Sequence, residues 1–220
     1  MRIALIAIPL LLSAATVDIS LEPVGKLQLR YCKADAVTYK GIKAVRVTDT
    51  GADDLPDASQ LATIPGTSFE DGVIDVDLAG DTQPGAGPAF KGFTGIAFRV
   101  QDEGKAYEAF YLRPRNGRIE DQVMRNHSAQ YMSHPDWGWQ KLREQFPWKY
   151  ESYVDLVPGE WVHVRIEVRG EKARLFVRNM EQPVLIVNDL KRGRSKGAIG
   201  LWVGPKTVAH FANLKVSSLN

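Results

Sequence analysis

Between Glu160 and Val177 apolar and polar side chains alternate with a period of two. Val162, Val164, Ile166 and Val168 fall on one side, and His163, Arg165, Glu167 and Arg169 on the other. This is the pattern of a strand buried on one face. Gly170-Glu171-Lys172 interrupts it, after which Ala173, Leu175 and Val177 alternate with Arg174, Phe176 and Arg178. The two runs predict a β-hairpin, with Gly170 free to take the positive φ that a short turn often needs.

The same period recurs along the chain. Ile74, Val76 and Leu78 alternate with Asp75 and Asp77, and shorter strand-like runs cover 27–29, 44–47, 61–64, 95–100, 107–113, 184–187, 198–203 and 208–216. Thr38-Tyr39-Lys40-Gly41 has the character of a turn entry, and Thr50–Asp57 is turn chemistry throughout. The strand at 61–64 is expected to stop at Pro65-Gly66. Gly80–Gly92, with four glycines and two prolines, is expected to be an exposed loop. A helical period appears only at Trp139, Leu142 and Phe146, which predicts a turn or two of helix. Many strands, little helix and glycine-rich turns define an all-β fold, a two-sheet antiparallel jelly-roll sandwich formed by one domain over 16–220.

Between Pro114 and Tyr153 the alternation stops, and arginines, histidines and aromatic rings crowd together instead. Irregular stretches of roughly forty residues inside a compact domain are uncommon and often functional. Any site is expected there.

The 220 residues carry 28 Lys+Arg against 26 Asp+Glu, a formal charge of +2 with the signs interspersed. No long-range field recruits nucleic acid or an anionic membrane, so neither is expected as a partner. The basic run Lys191–Lys196 lacks interleaved aromatics and is expected to be a solvated turn between two strands. Met1–Ala15 has an Arg2 n-region, an apolar stretch at Ile3–Leu12 and the small residues Ser13-Ala14-Ala15, which together predict a cleaved export signal too short to span a bilayer. The destination is periplasmic or extracellular. Cys32 is the only cysteine, so no internal disulfide forms, and its strand-like setting predicts a buried, inert thiol.

The fragments Val37–Ala44, Phe69–Ile74, Gly95–Arg99, Pro158–Trp161 and Gly197–Leu201 with Trp202 and Phe211–Leu214 resemble the concanavalin A-like lectin/glucanase superfamily. Within it they are most similar to the 3-keto-disaccharide hydrolase-type and laminin-G-like branches, through the closing G-x-I-G-L-W and F-x-N-L patterns. The resemblance implies two curved antiparallel sheets whose concave face and rim loops bind glycans. The laminarinase-like glucanases of that superfamily carry their acid and nucleophile in E-x-D-x-x-E, a motif this sequence lacks. Asp75 and Asp77 share a face without a matching Glu and are expected to form a solvated outer surface.

Carbohydrate is therefore the expected partner, bound by an exported jelly-roll domain. Tyr111 and Arg113 share one side of a strand, pairing a ring that stacks on a sugar's C–H face with a guanidinium that suits hydroxyls or, in an acidic glycan, a carboxylate. The candidate contacts are Tyr111, Arg113, Arg125, His127, Tyr131, Trp137 and Trp139. The alternative for Arg113, Arg115 and Arg118, at the end of that strand and in the loop after it, is to pin the loop by pairing with Glu108, Glu120 and Asp121. His127, His134 and Asp136 are spaced H-x6-H-x-D, which matches no zinc motif, and Gly51–Asp54 is a weak calcium loop; no metal or cofactor is expected. Two alternatives stand beside glycan binding: a glycoside-cleaving enzyme resembling the 3-keto-disaccharide hydrolases, using a carboxylate or His127 from the same loop, and an adhesion module whose aromatic loop meets a protein. The sequence leaves oligomeric state, sugar identity and catalytic residues open.

Overall fold

The computed structural model describes residues 16–51 and 60–218. The expected export signal, most of the 50–57 turn and the candidate calcium loop lie outside those residues. Two antiparallel sheets face each other. The first runs β13 (Leu185–Val187), β12 (Lys172–Val177), β11 (Val162–Arg169), β6 (Gly72–Thr82), β15 (Thr207–Ser217), β4 (Ile42–Asp49) and β3 (Cys32–Tyr39), and β1 (Thr16–Asp18) also pairs with β15. The second runs β10 (Glu151–Ser152), β9 (Ala129–His134), β8 (Ala106–Leu112), β7 (Thr94–Gln101), β14 (Gly197–Val203), β5 (Leu61–Phe69) and β2 (Gln28–Arg30). Two short helices, α1 (Gln122–Arg125) and α2 (Trp139–Gln145), interrupt the connections. This is the jelly-roll sandwich that the alternation predicts.

The hairpin forms as expected: β11 and β12 pair from Val164↔Val177 to Arg169↔Lys172, and Gly170 takes φ 60°. Val162, Val164, Ile166 and Val168 are buried, as are Ile74, Val76 and Leu78 on neighbouring β6. Asp75 and Asp77 stand on the outer face of that sheet with His163 between them, at 2.8 Å from Asp77 and 3.3 Å from Asp75. Cys32 is buried, and burial pushes its thiol up to about 11, so it stays protonated and unreactive at neutral pH.

Three expectations need correction. Strand β5 does not stop at Pro65-Gly66 but continues to Phe69 across a bulge, where its partner register jumps from Ile199↔Ile64 to Gly197↔Phe69. Thr67 makes this tolerable by donating its hydroxyl to the Ile64 carbonyl at 2.7 Å and accepting the Ile199 N–H at 2.9 Å, so ladder bonds lost at the bulge are replaced. The segment after Pro114 is not without strands. It contains β9, whose Ala129, Tyr131 and Ser133 face the core and whose Gln130, Met132 and His134 face the other way. Both faces being covered, the strand shows no apolar/polar alternation. The basic run 191–196 is docked: the Lys191 N–H donates to the Tyr131 hydroxyl at 2.8 Å, and the Arg192 N–H to Glu108 at 2.7 Å.

On the outer face of the first sheet His210 stacks on Tyr39, with ring centroids 3.6 Å apart, and Trp161 meets both rings edge-on. Burial, with the positive charge of neighbouring Arg46, lowers the His210 imidazole to about 4. The unfolded chain binds this proton near pH 6.5 and the folded one only near 4, so this contribution to stability is full above pH 6.5 and declines as pH falls towards 4. Lowering pH from 7 to 5 is expected to remove about 2 kcal/mol through this group. Chemical denaturation of wild type and His210→Phe at both pH values checks it, the variant keeping the stack and losing most of the slope.

Candidate functional site

Every residue of β8 is buried, because the second sheet is covered on both sides. Pairing of β8 with β7 and β9 sorts its side chains. Glu108, Phe110 and Leu112 point with Phe98, Tyr131 and Ile96 into the core, whereas Tyr107, Ala109 and Tyr111 share the opposite face with Met132 and His134. Across β7 that opposite face continues to Trp202 of β14, because Gly95 is opposed to Tyr111 on one side and to Trp202 on the other. With no side chain at Gly95, the Tyr111 and Trp202 rings meet over it, their centroids 4.7 Å apart. Trp202 also donates its indole N–H to the Tyr107 hydroxyl at 3.1 Å, which fixes its plane.

The segment from Pro135 to Gln145 folds over this aromatic floor and leaves a groove. Its larger part, of about 400 Å³, is lined by Phe93, Tyr111, Met132, Trp139, Lys141, Trp202 and Pro205, with Asp136 at the lining. That volume falls in the range of small-ligand sites. A smaller part, of about 220 Å³, adjoins it, sharing Phe93, Trp139 and Pro205 and adding Phe90, Arg113, Asn116, Met124, His127 and Arg143. Trp139 is thus a common wall of both parts.

Charged anchors hold that cover in place. Arg143 of α2 makes a two-pronged contact with the buried Glu151 carboxylate, at 2.8 Å from Nη2 and 3.1 Å from Nε. At the far end the Lys191 ammonium lies 5.0 Å from the Trp137 ring, 4.5 Å from Phe146 and 5.0 Å from Tyr150, and bonds Asp189 at 3.0 Å. Burial alone would raise the Asp189 carboxyl, but hydrogen bonds from Tyr150, Lys149 and Lys191 outweigh it and hold the group at about 2.

The structure brings four of the seven candidate contacts to the groove. Tyr111 lines the larger part, Arg113 and His127 the smaller, and Trp139 both. Tyr111 and Arg113 do point together, and the guanidinium donates to the Tyr111 hydroxyl at 2.7 Å and to the His127 carbonyl at 2.7 Å. His127 stacks on exposed Trp148 with centroids 5.5 Å apart, and burial lowers its basicity despite the nearby Glu151 carboxylate. The other three lie elsewhere. Tyr131 is a core residue: it has no exposed surface and donates its hydroxyl to Glu108 Oε2 at 2.5 Å. Arg125 lies over the Tyr153 ring, and Trp137 belongs to the Lys191 cluster. Arg115 and Arg118 take other carboxylates than those expected of them. Arg115 bonds Asp81 at 2.8 Å, and Arg118 bonds Asp155 at 2.6 Å. His127 and His134 sit at opposite ends of β9, the latter stacked on Tyr107.

Sequence reasoning missed Trp202, Phe93, Met132 and Asn116. For Trp202 a signal existed: the run Ile199–Val203 is apolar at nearly every position, which marks a strand covered on both faces rather than one.

The architecture is a two-sheet antiparallel jelly roll. No model of a known family matches the sequence, and no curated protein sequence matches it. Among solved structures, the chain is similar to the carbohydrate-binding module CBM66 from Bacillus subtilis, at 14% identity over 85% of this chain and 96% of that one, with a TM-score of 0.51. It is also similar to a protein of unknown function with a galectin-like fold from Bacillus subtilis, at 11% identity over 85% of this chain and 88% of that one, with a TM-score of 0.53. At these identities the likeness is one of fold.

A Cβ added at Gly95 would lie 2.1 Å from the Phe110 carbonyl oxygen and 2.6 Å from Tyr111 Cβ. Gly95→Ala is therefore expected to lose about 2 kcal/mol by overpacking and to alter the near-ultraviolet circular dichroism of the Tyr111–Trp202 pair. Gly87→Ala, which meets nothing within 4 Å, is the control expected to change neither.

Proposed function

We propose that the chain is an exported protein that binds carbohydrate in the groove between the second sheet and the Pro135–Gln145 cover. The observation that carries this reading is the composition of the groove: half-buried Trp139 and Phe93 wall a space of about 400 Å³ that is floored by the nearly buried rings of Tyr111 and Trp202, with Asp136, Gln140 and Lys141 at its lining. Sugars offer apolar C–H faces to stack on rings and a rim of hydroxyls for polar groups, which is the complement of such a surface. The pinned geometry of the cover supports a preformed site rather than one assembled on binding, which lowers the ordering cost of association. The jelly-roll fold is compatible with this use but does not by itself assign it. Lys91, Arg113 and Arg143 at the smaller end are compatible with a carboxylated sugar.

The same groove favours binding over cleavage. Glycoside hydrolysis ordinarily requires two carboxyl groups flanking the bond, about 5–10 Å apart. Among the described residues Asp136 is the one carboxylate in the lining of either part. Glu151 is nearby, but its side chain is buried and engaged by Arg143.

A glycan array probed with the folded protein and with Trp139→Ala tests the reading. Wild type is expected to bind a defined subset of glycans, and removal of the shared wall to weaken that binding at least tenfold, about 1.4 kcal/mol. If folded wild type binds no glycan, or if Trp139→Ala binds as well as wild type, the groove is not a carbohydrate site.

A further inference from the structure

Charge is placed unevenly along the groove. The larger part has one group of each sign at its lining, Asp136 and Lys141, whereas the smaller part is lined by Lys91, Arg113 and Arg143 and, among the described residues, by no carboxylate. Two acids stand nearby, and both are already engaged. Buried Glu151 lies 2.8 Å from Arg143 and 2.8 Å from His127 Nδ1, and Asp81 lies 2.8 Å from Arg115. One shared carboxylate set against three cations leaves this end of the groove positive.

Arg113 supplies a fixed part of that charge. Its guanidinium is held at 2.7 Å by the His127 carbonyl, at 2.7 Å by the Tyr111 hydroxyl and at 3.2 Å by Gln130 Oε1, bonds that orient it without neutralising it. The His127 ring senses the result: burial lowers its basicity most, and the charges of Arg143 and Arg113 lower it further against the opposing pull of Glu151.

The other two cations have donors within reach of a ligand. Arg143 has a side chain that is 33% exposed and spends Nε and Nη2 on Glu151, while its Nη1 makes no hydrogen bond among the described residues. Its guanidinium lies 4.7 Å from the centre of the Trp139 ring, the wall that both parts of the groove share. Half-buried Lys91 gives one N–H to the Pro88 carbonyl at 2.7 Å and keeps two more. A sugar ring against Trp139 thus has cationic donors at its edge. A hydroxyl draws an ordinary hydrogen bond from them, and an oxyanion a charge-assisted one about twice as strong.

We propose that the smaller part of the groove is a subsite for the oxyanion substituent, carboxylate or sulfate ester, of an acidic glycan. Arg143 and Lys91 are its direct contacts, and Arg113 is a fixed charge beside them. This inference rests on the carbohydrate-binding reading above and deepens it by naming the class of sugar.

The test uses glycans paired by charge: oligogalacturonate and oligomannuronate, each against its methyl ester, and a sulfated galactan oligosaccharide against its desulfated form. Titration calorimetry with the folded wild-type protein in about 0.02 M salt is expected to show at least a tenfold preference for the charged member of one pair, shrinking in about 0.5 M salt. Whether that pair is carboxylated or sulfated tells the two sources of the oxyanion apart. Lys91→Glu reverses a charge at the opening, and Arg143→Lys keeps a cation for Glu151 but gives up the free Nη1. Each is expected to cut the preference at least threefold, whereas Lys172→Gln, on the exposed outer face of the first sheet, leaves it unchanged. Equal binding of charged and neutral members by wild type overturns the oxyanion subsite and leaves glycan binding standing. A preference that survives one of the two groove variants strikes that residue from the subsite; one that survives both, or falls equally with Lys172→Gln, overturns its placement. A folded protein that binds no member of any pair, nor any other glycan, removes both readings together.

Discussion

The constraint on which the structure turns is that the second sheet is apolar on both faces. A sheet of this kind needs two covers, since exposed rings on either side leave apolar area in water at roughly 25 cal/mol for each Å². The first sheet supplies one cover, with Val164, Ile166, Leu78 and Phe211 packed towards Phe98, Phe110 and Leu201. Among the described residues no third sheet supplies the other. The chain instead lays an irregular insertion over Tyr107, Tyr111, Met132 and Trp202, and a cover made of turns and one short helix cannot interdigitate with a pleated surface as a second sheet does. The space it fails to fill is the groove. The candidate site is therefore a consequence of how this face is closed, not an addition to a finished fold.

That origin explains why so many charged groups surround the groove while few face into it. An insertion with little regular structure has few ladder bonds to hold it, so side chains must do that work. Arg143 on Glu151, Lys191 among Trp137, Phe146 and Tyr150, and the triple contact on Asp189 from Lys149, Tyr150 and Lys191 are such fastenings. Each joins the insertion either to the edge of the second sheet or to the loop after β13. Partly buried ion pairs contribute little net stability when formed, yet cost several kcal/mol when one partner is lost, which makes them better at fixing a geometry than at driving folding.

How much of this was legible follows from the same constraint. Strands buried on one face announce themselves: Val162 to Val168 and Ile74 to Leu78 were placed correctly, because polar partners on the outer face make the period visible. Strand β9 was not, since Ala129–His134 is covered on both faces and alternates in nothing that composition records. The site was half legible for a related reason. Tyr111 and Arg113 could be paired from their spacing along one strand. Tyr131 could not be assigned to the core without knowing that it lies opposite Phe110, nor Trp202 to the groove without knowing that Gly95 lies between it and Tyr111. Cross-strand register carries that information, and register is a property of pairs of segments distant in sequence.

The distribution of satisfied and unsatisfied groups sharpens the distinction between holding a ligand and transforming one. A catalytic acid or base must keep its proton available, so its environment leaves it poised and reachable by the reacting atoms. Near this groove three carboxylates are committed: Glu151 to Arg143, Asp81 to Arg115, Asp155 to Arg118. For Asp155 the hydrogen bond from Arg118 lowers the carboxyl below its ordinary value. On the proposed carbohydrate-binding reading these pairings hold the cover in place, and among the described residues they leave Asp136 as the one carboxylate at the lining, set among rings and not opposite a second acid.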